Sequence, residues 1–197
     1  MIFVTVGTQL PFDRLTRAID EWAGLHGRGE EVFAQVGPTE WRPKHMRWSP
    51  FITAEEFARR TREARVIVAH AGMGSIITAL ELGKPILVMP RRASLGEHRN
   101  EHQMATASHF QALGRIAVAL DEQELLEKLG SVSDLSAADR IAHTASPRLL
   151  RALARFAGCG IPSAVADAND ARAFEHRDFP AAPALEEEAT IGAQGGV

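Results

Sequence analysis

Three stretches of this chain combine residue types that could do chemistry. The first is His70-Ala-Gly-Met-Gly-Ser75, which follows an apolar run and precedes helical spacing. Gly72 and Gly74 would let the backbone approach a bulky anion. A helix starting at Gly74-Ser75 offers unpaired N–H groups and a positive dipole end, to which Ser75 could add a hydroxyl donor. The second is Gly7-Thr8-Gln9, where another apolar run stops. The third is the polar loop from Arg91 to Gln103. Within it, His98-Arg99-Asn100-Glu101-His102 has the inverted zinc-peptidase spacing, with two His one helical turn apart and Glu122, Glu124 or Glu127 downstream as third ligand. Outside these stretches, Cys159 has no base nearby to make it a nucleophile.

The elements that must position these loops can be read from periodicity. Met1–Val6, Val32–Val36, Val66–Ala69, Ile86–Met89 and Ile116–Leu120 are short apolar runs, as in strands buried on both faces, and a further short strand is expected near Trp48–Ile52. Between them, Phe12, Leu15, Ile19 and Trp22 recur at helical spacing, with Asp13, Arg14, Arg17, Asp20 and Glu21 on the opposite face. Thr53-x-x-Glu56 has capping-box form ahead of a helix to about Ala64. Further helices are expected from Ser75 to Gly83, from about Arg99 to Leu113, and from Asp121 to about Leu129. Strands alternating with helices predict an α/β fold, a single Rossmann-type domain with a doubly wound parallel sheet. That domain covers residues 1–130. Residues 131–160 are expected to form a helical extension containing an amphipathic helix at Arg148–Ala157, which packs on the domain or a partner or lies on a membrane surface. Residues 161–197 read as a flexible tail.

Composition narrows the classes. The chain has 197 residues, with 22 Lys plus Arg against 25 Asp plus Glu, a net charge of −3. That balance argues against a dedicated nucleic-acid binder. One cysteine excludes an internal disulfide framework, and no apolar run is long enough to span a bilayer. The N-terminus lacks signal-peptide character, so a soluble, cytoplasmic protein is expected.

The strand–His-Ala-Gly-Met-Gly-Ser–helix–Gly83-Lys84-Pro85–strand unit resembles the donor-nucleotide signature of the family 28 C-terminal domain, the donor-binding half of GT-B glycosyltransferases. Ile2-Phe-Val-Thr-Val-Gly-Thr8 with Pro11-Phe12-Asp13-Arg14-Leu15, and Gly96-Glu97-His98 with Glu101-His102-Gln103, are similar to a narrower group. That group holds the small catalytic subunit of the two-subunit dolichol-pathway N-acetylglucosaminyltransferase and bacterial exopolysaccharide glycosyltransferase subunits. The resemblance implies that Gly7 and Thr8 approach the donor diphosphate. His70 would stabilise it, with the backbone of Gly72, Met73, Gly74 and Ser75 gripping the phosphates. Glu97, His98, Glu101, His102 and Gln103 would read the donor sugar. Many relatives carry an acidic residue, usually Glu, at the position of Thr78, and Glu81 lies three residues on in this chain, so ribose recognition is not carried over to Thr78. The resemblance further implies a UDP-sugar substrate, a lipid-linked saccharide acceptor, no cofactor and no metal. The length is about half that of a GT-B enzyme, which implies a membrane-anchored, acceptor-binding partner subunit that recruits this chain to the cytoplasmic membrane face. The competing readings are a non-catalytic nucleotide-sugar-binding regulatory module, a nucleotide-sugar epimerase and the zinc peptidase.

Overall fold

A computed structural model describes residues 1–27, 31–131, 134–142 and 146–158. The apolar runs form six parallel strands: β1 (Ile2–Thr5), β2 (Val32–Gln35), β3 (Arg47–Ser49), β4 (Val66–His70), β5 (Ile86–Met89) and β6 (Ala117–Val118). Their order across the sheet is β3-β2-β1-β4-β5-β6. β1 sits centrally, with Ile2 opposite Val32 on one side and Val66 on the other. The strand order reverses between β1 and β4. In open α/β sheets that switch point opens a crevice at the carboxyl edge.

Side-chain alternation along the strands builds two apolar layers. Ile2, Val4, Val68, Leu87 and Met89 pack with Leu15, Ile19 and Trp22 of α1 (Asp13–Leu25) and Leu125 and Leu129 of α5 (Glu122–Gly130). Phe3, Ile67, Ala69 and Val88 face the other way. They meet Phe57 of α2 (Ala54–Glu63), Ile76 and Leu80 of α3 (Met73–Leu82) and Ala107 of α4 (His102–Ala112). Each fully buried Ile, Leu or Phe contributes about 1.5–3 kcal/mol, so the central strands anchor the sheet. The loops at its carboxyl edge inherit that rigidity.

Caps locate several helix starts. Thr53 accepts the Glu56 N–H at 3.1 Å and Asp121 accepts the Glu124 N–H at 2.9 Å. The Glu56 carboxylate turns to Arg59 and Arg60 rather than back to the cap. Three expectations are corrected. The expected strand near Trp48–Ile52 is Arg47–Ser49, because Pro50 has no N–H to continue the ladder. The helix expected from Arg99 starts at His102, because the Glu101 carboxylate accepts the N–H groups of Ala93 (2.9 Å) and Ser94 (3.2 Å) and holds the preceding residues in a loop. Asp20, expected on the solvent face of its helix, is buried and accepts the backbone N–H groups of Lys44, His45 and Met46.

The chain divides into two units, Met1–Thr144 and Ala145–Val197. In the first, Leu135, Ala138 and Ile141 lie against the apolar layers. In the second, α6 (Pro147–Ala157) is capped by Ser146 and ends at Gly158. Leu149, Leu153 and Phe156 are exposed on one side, and Arg148, Arg151 and Arg155 project from the other. No helix among the described residues is long and apolar enough to cross a membrane. Cys159 and the tail expected over 161–197 lie outside the described residues.

Candidate functional site

The switch point carries a cavity of about 810 Å³, lined by the loops that follow β1, β3, β4 and β5. β4 delivers His70 to its floor. The imidazole sits against the backbone of two glycines. A Cβ at Gly72 would lie 2.2 Å from His70 Nε2, and one at Gly7 would lie 2.9 Å from Cε1. Gly7 also has φ +77°, which side chains rarely adopt. These glycines therefore have a reason inside the protein as well as toward a ligand: they seat the ring.

His70 Nδ1 is buried and makes no hydrogen bond among the described residues. Burial, reinforced by the positive charge of Arg91, pushes the His70 pKa down to about 4; contact with the Thr5 backbone opposes this, and His98 adds slightly to it. At neutral pH the ring is an uncharged imidazole with one N–H to donate. Beside it α3 begins. Gly72 is its cap and offers no side chain, and no acidic residue stands in the first turn. Among the described residues the N–H groups of Met73, Gly74 and Ser75 are consequently unclaimed, at the positive end of the helix. A Cβ at Gly74 would meet nothing within 4 Å, so the absence of a side chain leaves open space over these donors.

The structure gathers Gly7, Thr8, His70, Gly72, Gly74, Ser75, His98, His102 and Gln103 around this one cavity. His98 meets His102 edge-on at 4.5 Å, and His98 Nδ1 is buried without a partner among the described residues. Gln103 is buried and accepts the Arg91 N–H at 3.2 Å. Met73, Glu97 and Glu101 do not line the cavity. The Met73 side chain is exposed, leaving only its backbone N–H in the first turn. The Glu97 carboxylate is held by Arg14 (2.7 and 2.9 Å) and the Arg92 N–H (2.9 Å). Glu101 is held at the Ala93 and Ser94 N–H groups. Thr78 lines the cavity with its hydroxyl donated to the Gly74 carbonyl at 2.8 Å.

The zinc-peptidase spacing is not realised as a motif. His98 and Glu101 both precede α4, so the two His do not share a helical face, and the Glu101 carboxylate is engaged elsewhere. Among the described residues no group of three or more His, Cys, Asp or Glu is placed to hold a metal ion.

Two residues of the site escape a sequence reading. Arg91 is buried at the cavity wall and donates to carbonyls of the Val6–Pro11 loop. Gln35 donates to the Gly7 carbonyl at 2.7 Å. The only local signal for Arg91 is a cation directly after the proline that ends a buried strand. The wall opposite is apolar, with Ile52 and Phe57.

A parallel sheet in this strand order, with helices on both faces, is a Rossmann-type domain. Residues 1–145 match the glycosyltransferase family 28 C-terminal domain, and the chain belongs to that family. It is 41% identical over 63 residues to the UDP-N-acetylglucosamine transferase subunit ALG13 of Eremothecium gossypii, a stretch covering 32% of this chain and 29% of that protein. It is 27% identical over 130 residues to a UDP-N-acetylglucosamine--N-acetylmuramyl-(pentapeptide) pyrophosphoryl-undecaprenol N-acetylglucosamine transferase of Christiangramia forsetii, covering 64% of this chain and 34% of that one. The matched stretches thus span about a third of these curated relatives. The solution structure of ALG13 superposes with a TM-score of 0.50 at 18% identity, over 72% of this chain and 90% of that one. The kitacinnamycin glycotransferase superposes with a TM-score of 0.50 at 17% identity, over 67% and 34%. At those identities the structures share the fold.

Proposed function

We propose that this chain is the catalytic, UDP-sugar-binding subunit of a two-component glycosyltransferase. It transfers a hexose-type sugar to a lipid-linked saccharide acceptor in exopolysaccharide or related glycan assembly. The observation that carries the proposal is the set of donors left unpaired around one cavity: the first turn of α3 and the His70 ring. A diphosphate is the ligand that such a set fits, because it presents acceptor oxygens and negative charge to N–H groups at a helix start. The names of both curated relatives, which contain UDP-N-acetylglucosamine, support a UDP-sugar donor.

The reaction follows from the same groups. As the bond from the anomeric carbon to the diphosphate lengthens, negative charge grows on the departing phosphate oxygen. The α3 dipole and the N–H groups of Met73, Gly74 and Ser75 already point where that charge develops, which is the arrangement that lowers a barrier most effectively. Neutral His70 donates one further hydrogen bond, and the buried Arg91 supplies positive potential behind it. In this reading these groups neutralise the leaving group without a metal. The lipid-linked acceptor supplies the hydroxyl that replaces the diphosphate at the anomeric carbon, and the base that takes its proton comes from a membrane-anchored partner subunit, which also brings this cytoplasmic chain to the membrane face. The printed name of the ALG13 relative, a transferase subunit, supports a divided enzyme.

The test combines the chain with its candidate acceptor-binding partner, a UDP-sugar and a lipid-linked acceptor, and follows UDP release. The proposal expects release only with both proteins present. Full transfer by this chain alone contradicts the two-component reading. Binding of the UDP-sugar with no release under any combination supports a regulatory module instead.

A further inference from the structure

We propose that Arg91 is the positioning residue of the donor cavity. It holds the Val6–Pro11 loop from inside so that the Thr8 and Gln9 N–H groups point at the bound diphosphate. This rests on the donor-binding reading above and adds a wall that the helix start does not supply.

The loop that follows β1 has its carbonyls and its amides sorted. From inside, Arg91 Nη2 donates to the carbonyls of Val6 (2.9 Å) and Leu10 (2.7 Å), and Nη1 donates to that of Pro11. Gln35 Nε2 takes the Gly7 carbonyl at 2.7 Å, while its own carbonyl oxygen accepts the Thr5 hydroxyl at 2.7 Å. Four carbonyls of one short loop are thus tied to two buried side chains. The N–H groups of Thr8 and Gln9, by contrast, have no acceptor among the described residues, and both residues line the cavity. Consecutive free N–H groups beside a left-handed residue, here Gly7 at φ +77°, form a concavity that takes an anion.

Only a guanidinium fits this task. Its planar fork reaches several carbonyls at fixed angles, whereas an ammonium is a single point on a flexible stem. Arg91 is 2% exposed, its guanidinium lies over the Phe12 ring at 4.7 Å, and its own N–H is held by Gln103. Burial pushes its pKa down to about 10, so it keeps its charge at neutral pH and adds positive potential to the cavity.

Calorimetric titrations of the full chain with UDP and with UMP test the proposal, using Arg91→Lys and Arg91→Met. Thermal melts of each variant come first. If Arg91→Met does not fold, Arg91→Lys carries the test. The expected result is a UDP affinity lowered about tenfold in Arg91→Lys, with UMP affinity changed less than about threefold, because the second phosphate is what the ordered loop holds. A structural defect alone lowers both affinities in proportion, and that outcome overturns the proposal, as does an unchanged UDP affinity. If the unsubstituted chain binds neither nucleotide, the donor-binding reading itself falls. The two failures are therefore distinguishable.

Discussion

The loops after β4 and β5 lie next to each other at the carboxyl edge and treat their polar groups in opposite ways. After β5, most charged side chains are tied to the protein. Arg14 pairs with Glu97, Arg92 donates to the Leu120 carbonyl at 2.6 Å, Arg91 holds the neighbouring loop, and Glu101 ties down Ala93 and Ser94. After β4, the polar groups are left over: a buried His70 nitrogen without a partner and three N–H groups at a helix start. A buried donor without a partner costs about 1–3 kcal/mol. The cavity holds two such nitrogens, His70 Nδ1 and His98 Nδ1, beside the exposed helix start, while the charged side chains after β5 act as scaffold. A high density of charge thus marks the support, and its neighbour with few charges marks the binding site.

The largest expected effect comes from unseating the ring in the unsaturated loop. Gly72→Ala places a Cβ 2.2 Å from His70 Nε2. It should cost about 3 kcal/mol in denaturant unfolding and lower UDP affinity about 100-fold by calorimetry. If both change by less than the cost of an exposed Gly→Ala replacement, the seating argument is wrong.

Acid is the next perturbation in size. The folded-state pKa of His70 lies at about 4, below its ordinary 6.5, so the unfolded chain takes up more protons between those values. Its contribution to stability is complete above pH 6.5 and is lost as the pH falls toward 4, about 3 kcal/mol in all. Unfolding curves across this window in the chain and in His70→Ala should diverge by that amount, the variant showing the flatter profile.

On the saturated side, Glu97→Gln should lower stability by about 2 kcal/mol while changing UDP affinity less than about threefold. A large affinity loss without a stability loss would instead make Glu97 a donor ligand. The smallest effect is on the other side again: His70→Ala at pH 7.5 should weaken UDP about tenfold, the worth of one hydrogen bond to a charged ligand. Unchanged affinity removes His70 from the binding role.

The same contrast explains what the sequence disclosed. The loop after β4 is legible because its chemistry is local. An apolar run, two glycines and renewed helical spacing fix a turn and a helix start within a few residues. The strands are legible for the same reason, as is the Thr53 cap. Arg91, Asp20 and the Arg14–Glu97 pair are not, since each finds its partner far along the chain: Glu97 lies 83 residues from Arg14, and Asp20 caps a loop 24 to 26 residues away. Periodicity assigned Asp20 to solvent because it counts faces and not distant N–H groups in need of an acceptor. The competing His98-x-x-Glu101-His102 reading fails for a related reason: its geometry assumes a continuous helix, and Glu101 prevents one by bonding backward to Ala93 and Ser94.

The central claim is that the unsaturated donors at the switch point are a diphosphate site. Residue-resolved NMR of backbone amides during titration with UDP addresses it directly. The account predicts saturable downfield shifts of the N–H groups of Thr8, Gln9, Met73, Gly74 and Ser75, all following one binding curve, while Lys44–Met46, whose N–H groups Asp20 already holds, stay unmoved. Saturable binding that leaves the Met73–Ser75 amides unshifted would contradict it.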